Sequence, residues 1–200
     1  MAVIEVALLH FKAEQDPSVT EALIQAQKAQ EEHSKHKVRF LRQIEDPSCF
    51  YLMAGWESLE RHSTQSIHYQ GHLVQLADRI EVDWMFHLDA DPSTFAIPFD
   101  APVIAIGRYF VEASKKEEFT SILKPIVSGL ADTTKKSLSY CSAWRIDKGG
   151  EDEEFVFFSG WKDIADHIEF AKSEAAENIA KLSQLVKGVE VKHACVQKWE

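Results

Sequence analysis

The chain has 200 residues, 45% of them hydrophobic, and a formal net charge of -10, which suits one large or two small buried cores. That charge, with no block of Lys or Arg to offset it, argues against nucleic acid and anionic membranes as partners. The opening MAVIEVALLHF lacks the basic leader and long apolar run of a signal peptide or spanning helix, so a cytoplasmic protein is expected.

In chain order, VIEVALLHF reads as a strand by its branched residues, followed by a helix through Leu23 and Ile24. KVRFLRQI and CFYLMAGW are two further strands around the short EDPS turn. A helix over about Leu59 to Arg79 and the strand IEVDWMFHL complete the first half. LDADPSTFAIPFDAP, Leu88 to Pro102, carries three prolines and suits a crossing segment. The expected division is therefore 1–90, a linker at 91–101, and 102–200.

The second half repeats the order. VIAIGRYFV is a strand, and Phe119, Ile122, Leu123, Ile126, Val127 and Leu130 recur at helical steps. Pro125 inside this run predicts a kink or local break. SLSYCSAWRI and EFVFFSGW form a hairpin around the acidic turn DKGGEDEE. Ile164, Ile168, Ala171, Ala175, Ile179, Leu182 and Val186 predict a second long helix, with Gly188 placed to stop it. VEVKHACVQKW closes the half as a strand.

The halves also share local sequence. Val3-Ile4 returns as Val103-Ile104, and Gly55-Trp56 with His62 returns as Gly160-Trp161 with His167. Strand, helix, strand, strand, helix, strand, repeated twice, predicts an α+β fold of two ferredoxin-like βαββαβ repeats. Because strands such as FVFFSGW are apolar on both sides, the two antiparallel sheets are expected to pack face to face as an intramolecular barrel, with a monomer as the simplest assembly and further dimerisation open.

On AGWESLERH, SGWKDIADH and VIAIGRYFVEASKKEEFTSILKPIV the chain resembles the dimeric α+β barrel superfamily, and within it the antibiotic-biosynthesis-monooxygenase-like domains, as a fused tandem pair. The resemblance implies a small-molecule enzyme without a bound cofactor, a monooxygenase, cyclase or lyase acting on an aromatic or polyketide-like substrate. It equally admits a noncatalytic stress-response-type barrel that binds a hydrophobic ligand or a protein partner. Heme-degrading relatives carry an axial histidine ten residues after a helix tryptophan. His72 matches that spacing, but His62 stands where the tryptophan belongs and Ala7 or Gly107 where a strand asparagine belongs, which disfavours heme degradation.

Such chemistry needs a base and a donor for the resulting oxyanion in a dry cavity. His62 is the expected base, with His68, Tyr69 or His72 assisting. These follow it, with Ser66, in the first half alone, where the second half has Ala171, Ser173, Glu174 and Glu177. Substrate-binding candidates are His167, Arg108, Trp84, His87, Tyr51 and Tyr140. His10 and Trp144 are further possible lining residues. For each histidine the alternative is a ring that braces the helix start, and for Arg108 a salt bridge. His68 and His72 share a helical face, as two metal ligands would, but no HExxH accompanies them and no metal is expected. Trp56 and Trp161 are expected to pack helix on sheet, and Gly55 and Gly160 to permit a turn or a close approach. Cys49, Cys141 and Cys195 have no CxxC spacing, so neither a disulfide nor a zinc ribbon is expected.

Overall fold

Branched and aromatic strands alternate with amphipathic helices in two compact units, residues 1–95 with 196–200, and residues 96–195. The computed structural model describes residues 1–12, 17–63, 76–133, 139–147, 150–172 and 176–199. The fold is mixed α+β with antiparallel strand pairing.

In the first unit β1 (Val3–Phe11), α1 (Pro17–Ser34), β2 (Val38–Gln43) and β3 (Cys49–Trp56) precede a helical turn at 59–63 and β4 (Ile80–Leu88). The strand order is β4-β1-β3-β2. Strand alternation sends Ala7, Leu9 and Phe11 to one face, where they pack with Val19 and Leu23 of α1 and with Phe40, Phe50 and Leu52. Near the carboxyl terminus Trp199 returns to this core, its Nε1 donating to Gln27 Oε1 at 2.9 Å.

The second unit runs β5 (Val103–Val111), α2 (Lys116–Thr133), β6 (Tyr140–Trp144), β7 (Glu153–Trp161), α3 (Ile164–Ala171), α4 (Ala176–Ser183) and β8 (Val186–Val196). Its strand order is β8-β5-β7-β6. Val111, Phe119, Ile126, Phe155, Leu182 and Leu185 form the core between sheet and helices.

Two expectations change here. Helix α2 runs unbroken through Pro125, because Phe119 and Ile126 are buried on either side of it and hold the helix to the sheet. The long helix expected from Ile164 to Val186 is two shorter ones, and Gly188 lies in β8 rather than at a helix stop. Val186, Val189 and Val191 are β-branched and favour the pleated sheet. Gly188 pairs with Phe110 where the β5–β8 register slips before Val111, a common use of glycine in a strand.

Gly55 is required for close approach. A Cβ built there would lie 2.5 Å from Pro92 Cβ, 2.8 Å from Pro92 Cγ and 3.0 Å from His36 Cβ. The rigid Pro92 ring has no rotamer in which to give way. G55A should destabilise the first unit by about 2 kcal/mol through overpacking, read as a lower urea midpoint at unchanged slope; an unchanged midpoint would show that the Pro92 segment yields freely.

Candidate functional site

Each Gly-Trp pair ends a strand and is followed by a helix cap. In the second unit Asp163 caps α3, its side chain accepting from Asp166 N at 2.9 Å. In the first, Ser58 Oγ accepts from Arg61 N at 3.1 Å. In both, the next residue is the histidine, so it falls in the first turn and its ring leans back on the tryptophan. Ring centroids are 4.7 Å apart for Trp56 and His62, and 4.8 Å for Trp161 and His167.

Each histidine meets a second one from the last strand of its unit. His62 Nδ1 lies 2.9 Å from His87 Nε2, and His167 Nδ1 lies 2.8 Å from His193 Nε2. The strand registers explain the match, since His87 pairs with Glu5 as His193 pairs with Ala105. Among the described residues the two sites differ in having a glutamate at this position in one unit and an alanine in the other.

In the first unit Glu5 is buried and closes the network. It accepts from Trp56 Nε1 at 2.7 Å and from Gln30 Nε2 at 3.0 Å, and its Oε2 lies 3.6 Å from His62 Nε2. Burial, only partly offset by the Trp56 hydrogen bond and the neighbouring His87, raises the carboxyl above its ordinary range. His62, the expected base, therefore has one ring nitrogen against His87 and the other against Glu5, and is itself buried. H62A should lower the stability of this unit by about 1–2 kcal/mol by leaving buried polar groups without their partner, measured by urea unfolding, with no loss from the second-unit activity proposed below.

In the second unit Trp161 Nε1 donates to Ser159 Oγ at 2.8 Å. Ala105 and Ser159 pair here as Glu5 and Ala54 pair in the first unit. A cavity of about 260 Å³ lies on this side of the sheet, walled by Leu123 and Ile126 of α2, Phe170 of α3, Ile179 and Leu182 of α4, and Phe157 and Trp161 of β7. Among the described residues its polar lining is His167, Ser159, Tyr109 and Ser183, with no Asp, Glu, Lys or Arg. Among the described residues Nε2 of His167 meets no hydrogen-bond partner. Burial, with His193 a smaller contribution, pushes the His167 pKa down to about 4. The ring is therefore neutral at pH 7, and in the tautomer whose Nδ1–H donates to His193 Nε2 its Nε2 is the proton-accepting nitrogen.

The other expected residues are placed as follows. Arg108 faces away from the cavity side, since strand alternation puts it opposite Gly107 and Tyr109. Its guanidinium donates to Glu154 Oε1 at 2.6 Å and Glu190 Oε2 at 3.0 Å. Tyr51 and Trp84 both pair with Leu8, on the face of the first sheet away from α1; Tyr51 accepts from Gln43 Nε2 at 3.1 Å, and Trp84 stacks on Phe86. Tyr140 stacks on Phe157 beside the cavity, and Trp144 packs on Phe119 and Phe155. His10 pairs with Asp83 at 3.0 Å. Ser66, His68, Tyr69 and His72 lie outside the described residues. Among the described residues no group of three or more His, Cys, Asp or Glu is arranged to hold a metal ion, the three cysteines are free, and no helix is long and apolar enough to cross a membrane.

Sequence reasoning did not single out Glu5, Tyr109, Ser159 or His193. The shared local sequence of the two halves held a signal for His193, which stands in the last strand of its half as His87 does in the other.

No protein-family model and no curated protein matches the chain. Solved structures do match over 98% of its length. A candidate monooxygenase of Fusobacterium nucleatum aligns with a TM-score of 0.70 at 14% identity, covering 93% of that chain. An anthrone oxidase-like protein aligns at 0.67 and 12%, covering 92% of that chain. A mutant chlorite dismutase of Candidatus Nitrospira defluvii aligns at 0.68 and 9%, also covering 92% of that chain. At these identities the likeness is one of fold, and the chain has the fold that these three proteins share.

Proposed function

We propose that the protein is a small-molecule oxygenase in which His167 acts as the base inside the second-unit cavity. The observation that carries this reading is the His167 imidazole, bonded through Nδ1 to His193, held neutral at pH 7 by burial and lining an apolar cavity. The cavity is just below the roughly 300–1,000 Å³ of sites that bury drug-sized ligands, a size suited to a compact aromatic substrate. We further read the two units as copies of one ferredoxin-like, antibiotic-biosynthesis-monooxygenase-like domain, the second with a pocket beside its histidine.

The chemistry starts with proton transfer from an activated C–H of the substrate to His167 Nε2. The resulting imidazolium and enolate form an ion pair in a dry, low-dielectric site, where the pair is stronger than in water. Dioxygen then oxidises the enolate. With anthrone, the substrate class suggested by the anthrone oxidase-like neighbour, one molecule and one O2 give anthraquinone and one water. Among the described residues no Asp, Glu, Lys or Arg lines the cavity, which favours an uncharged substrate.

The experiment is oxygen uptake by the purified protein with anthrone and no added cofactor. The expected result is one O2 consumed per anthraquinone formed, above the buffer rate. Uptake no faster than buffer, with anthrone present at saturation, would sink the oxygenase reading.

A further inference from the structure

The helix-side row of β5 contains one residue without a side chain, Gly107, and Tyr109 is folded over it. A Cβ at Gly107 would lie 2.9 Å from Tyr109 Cε2 and 3.3 Å from its hydroxyl oxygen. The ring therefore lies flat along the strand instead of standing up into the space between sheet and helices. The corresponding row of β1 has Ala7 and Leu9, both in the hydrophobic core of the first unit.

Two consequences follow for the cavity. Tyr109 lines it, and a side chain at residue 107 would displace the Tyr109 ring. The hydroxyl is also carried back over residue 107. From there to the row of Ala105, which pairs with Ser159 on one side and His193 on the other, is one pleat repeat, about 7 Å. His167 is held by His193 at 2.8 Å. The Tyr109 oxygen and the His167 ring are thus within the span of one small molecule.

The Tyr109 hydroxyl meets no hydrogen-bond partner among the described residues, and burial raises its pKa above the ordinary phenol value, so it stays a donor at neutral pH. A phenol that lines an apolar cavity with its proton unspent is suited to donate to an acceptor on a ligand.

We infer that Tyr109, laid over Gly107, is the specificity-determining floor of the second-unit cavity, and that the site takes an uncharged fused-ring aromatic ligand whose ketone or phenol oxygen accepts from the Tyr109 hydroxyl. This rests on the cavity being the ligand site, as proposed above, but not on His167 acting as a base. Tyr109 positions the ligand and selects for its oxygen; Gly107 supplies the room.

The test uses two uncharged probes of the same shape, 1-tetralone and tetralin, which differ by one carbonyl, with affinities from isothermal titration calorimetry. The wild type should bind 1-tetralone more tightly than tetralin. Y109F should weaken 1-tetralone about five- to tenfold, as loss of one hydrogen bond would, and leave tetralin unchanged. G107A should weaken both probes by pushing the ring into the cavity, and a second change, Tyr109→Leu in the G107A background, should restore tetralin. Circular dichroism and melting temperature establish that each variant is folded. Equal affinity of the wild type for the two probes, an unchanged 1-tetralone affinity in Y109F, or no binding of either probe overturns the inference. The distinction from the oxygenase reading is direct: probe discrimination without anthrone turnover removes that reading and leaves this one standing.

Discussion

H167Q is expected to lower kcat/KM for anthrone oxidation by about 10²–10⁴-fold, the usual contribution of a positioned general base. Glutamine keeps the approximate size of the ring and its polarity, so the cavity and the contact with His193 lose little. What disappears is a group able to accept a proton at pH 7. The wild-type profile should also be distinctive. Because burial holds His167 at about 4, kcat/KM should be flat from about pH 6 to 8 and fall only as the ring takes up a proton toward pH 4. An exposed histidine would instead give a fall centred near 6.5. Oxygen-electrode rates across that range decide between them. A variant that keeps the wild-type rate, or a wild-type profile centred near 6.5, would remove His167 as the base.

The same depressed pKa should appear in folding. The folded state keeps His167 neutral down to about pH 4, whereas the unfolded chain binds the proton near 6.5. Between those values the unfolded state carries more protons, so stability rises with pH; it is fully present above 6.5 and lost as pH falls to 4. The gap corresponds to about 3 kcal/mol, slightly discounted because the ring is not wholly enclosed. Urea unfolding of the second unit at pH 7 and pH 4 should therefore give a difference about 3 kcal/mol smaller in H167Q than in the wild type. An identical difference in both proteins would show that the ring is solvated or that a neighbour compensates its charge. Glu5 contributes with the opposite sign in the first unit. Its carboxyl pKa is raised by burial, so the stabilisation it brings is present below its unfolded value and lost as pH rises through the folded one. E5Q should flatten that unit's dependence.

Element identity was readable where local signals and burial agree. VIEVALLHF and VIAIGRYFV were legible as strands because branched and aromatic residues suit a pleated, buried surface. The stripe from Phe119 to Ile126 was legible as a helix despite Pro125, because the apolar period outweighs one lost hydrogen bond once the stripe is packed. The end of the second helical region was not legible. Ile179 and Leu182 continue a helical period into Val186, and only pairing with β5 pulls Val186 and Gly188 into a strand.

The candidate site divides in the same way. The Gly-Trp and histidine pattern, read as the mark of a duplication, predicts that Trp56 and His62 sit as Trp161 and His167 do, because a capped helix after a strand puts the histidine back on the tryptophan whatever surrounds it. What the rings then do was not in the pattern. The side-chain contrasts after His62 lie outside the described residues. A contrast between the described sites is Glu5 against Ala105, about a hundred positions apart in the chain and equivalent only through strand register. Glu5 engages His62 in a buried network, and His167 lines a cavity.

By itself the sequence determined the strands, the first helix of each half and the Trp-His contact, all of which depend on neighbours along the chain. Only the tertiary structure decided that His167 borders a cavity, that Tyr109 lies over Gly107, and that Arg108 faces away from both. Those are properties of packing between side chains from distant strands and helices, and close packing lets single side chains decide what space remains.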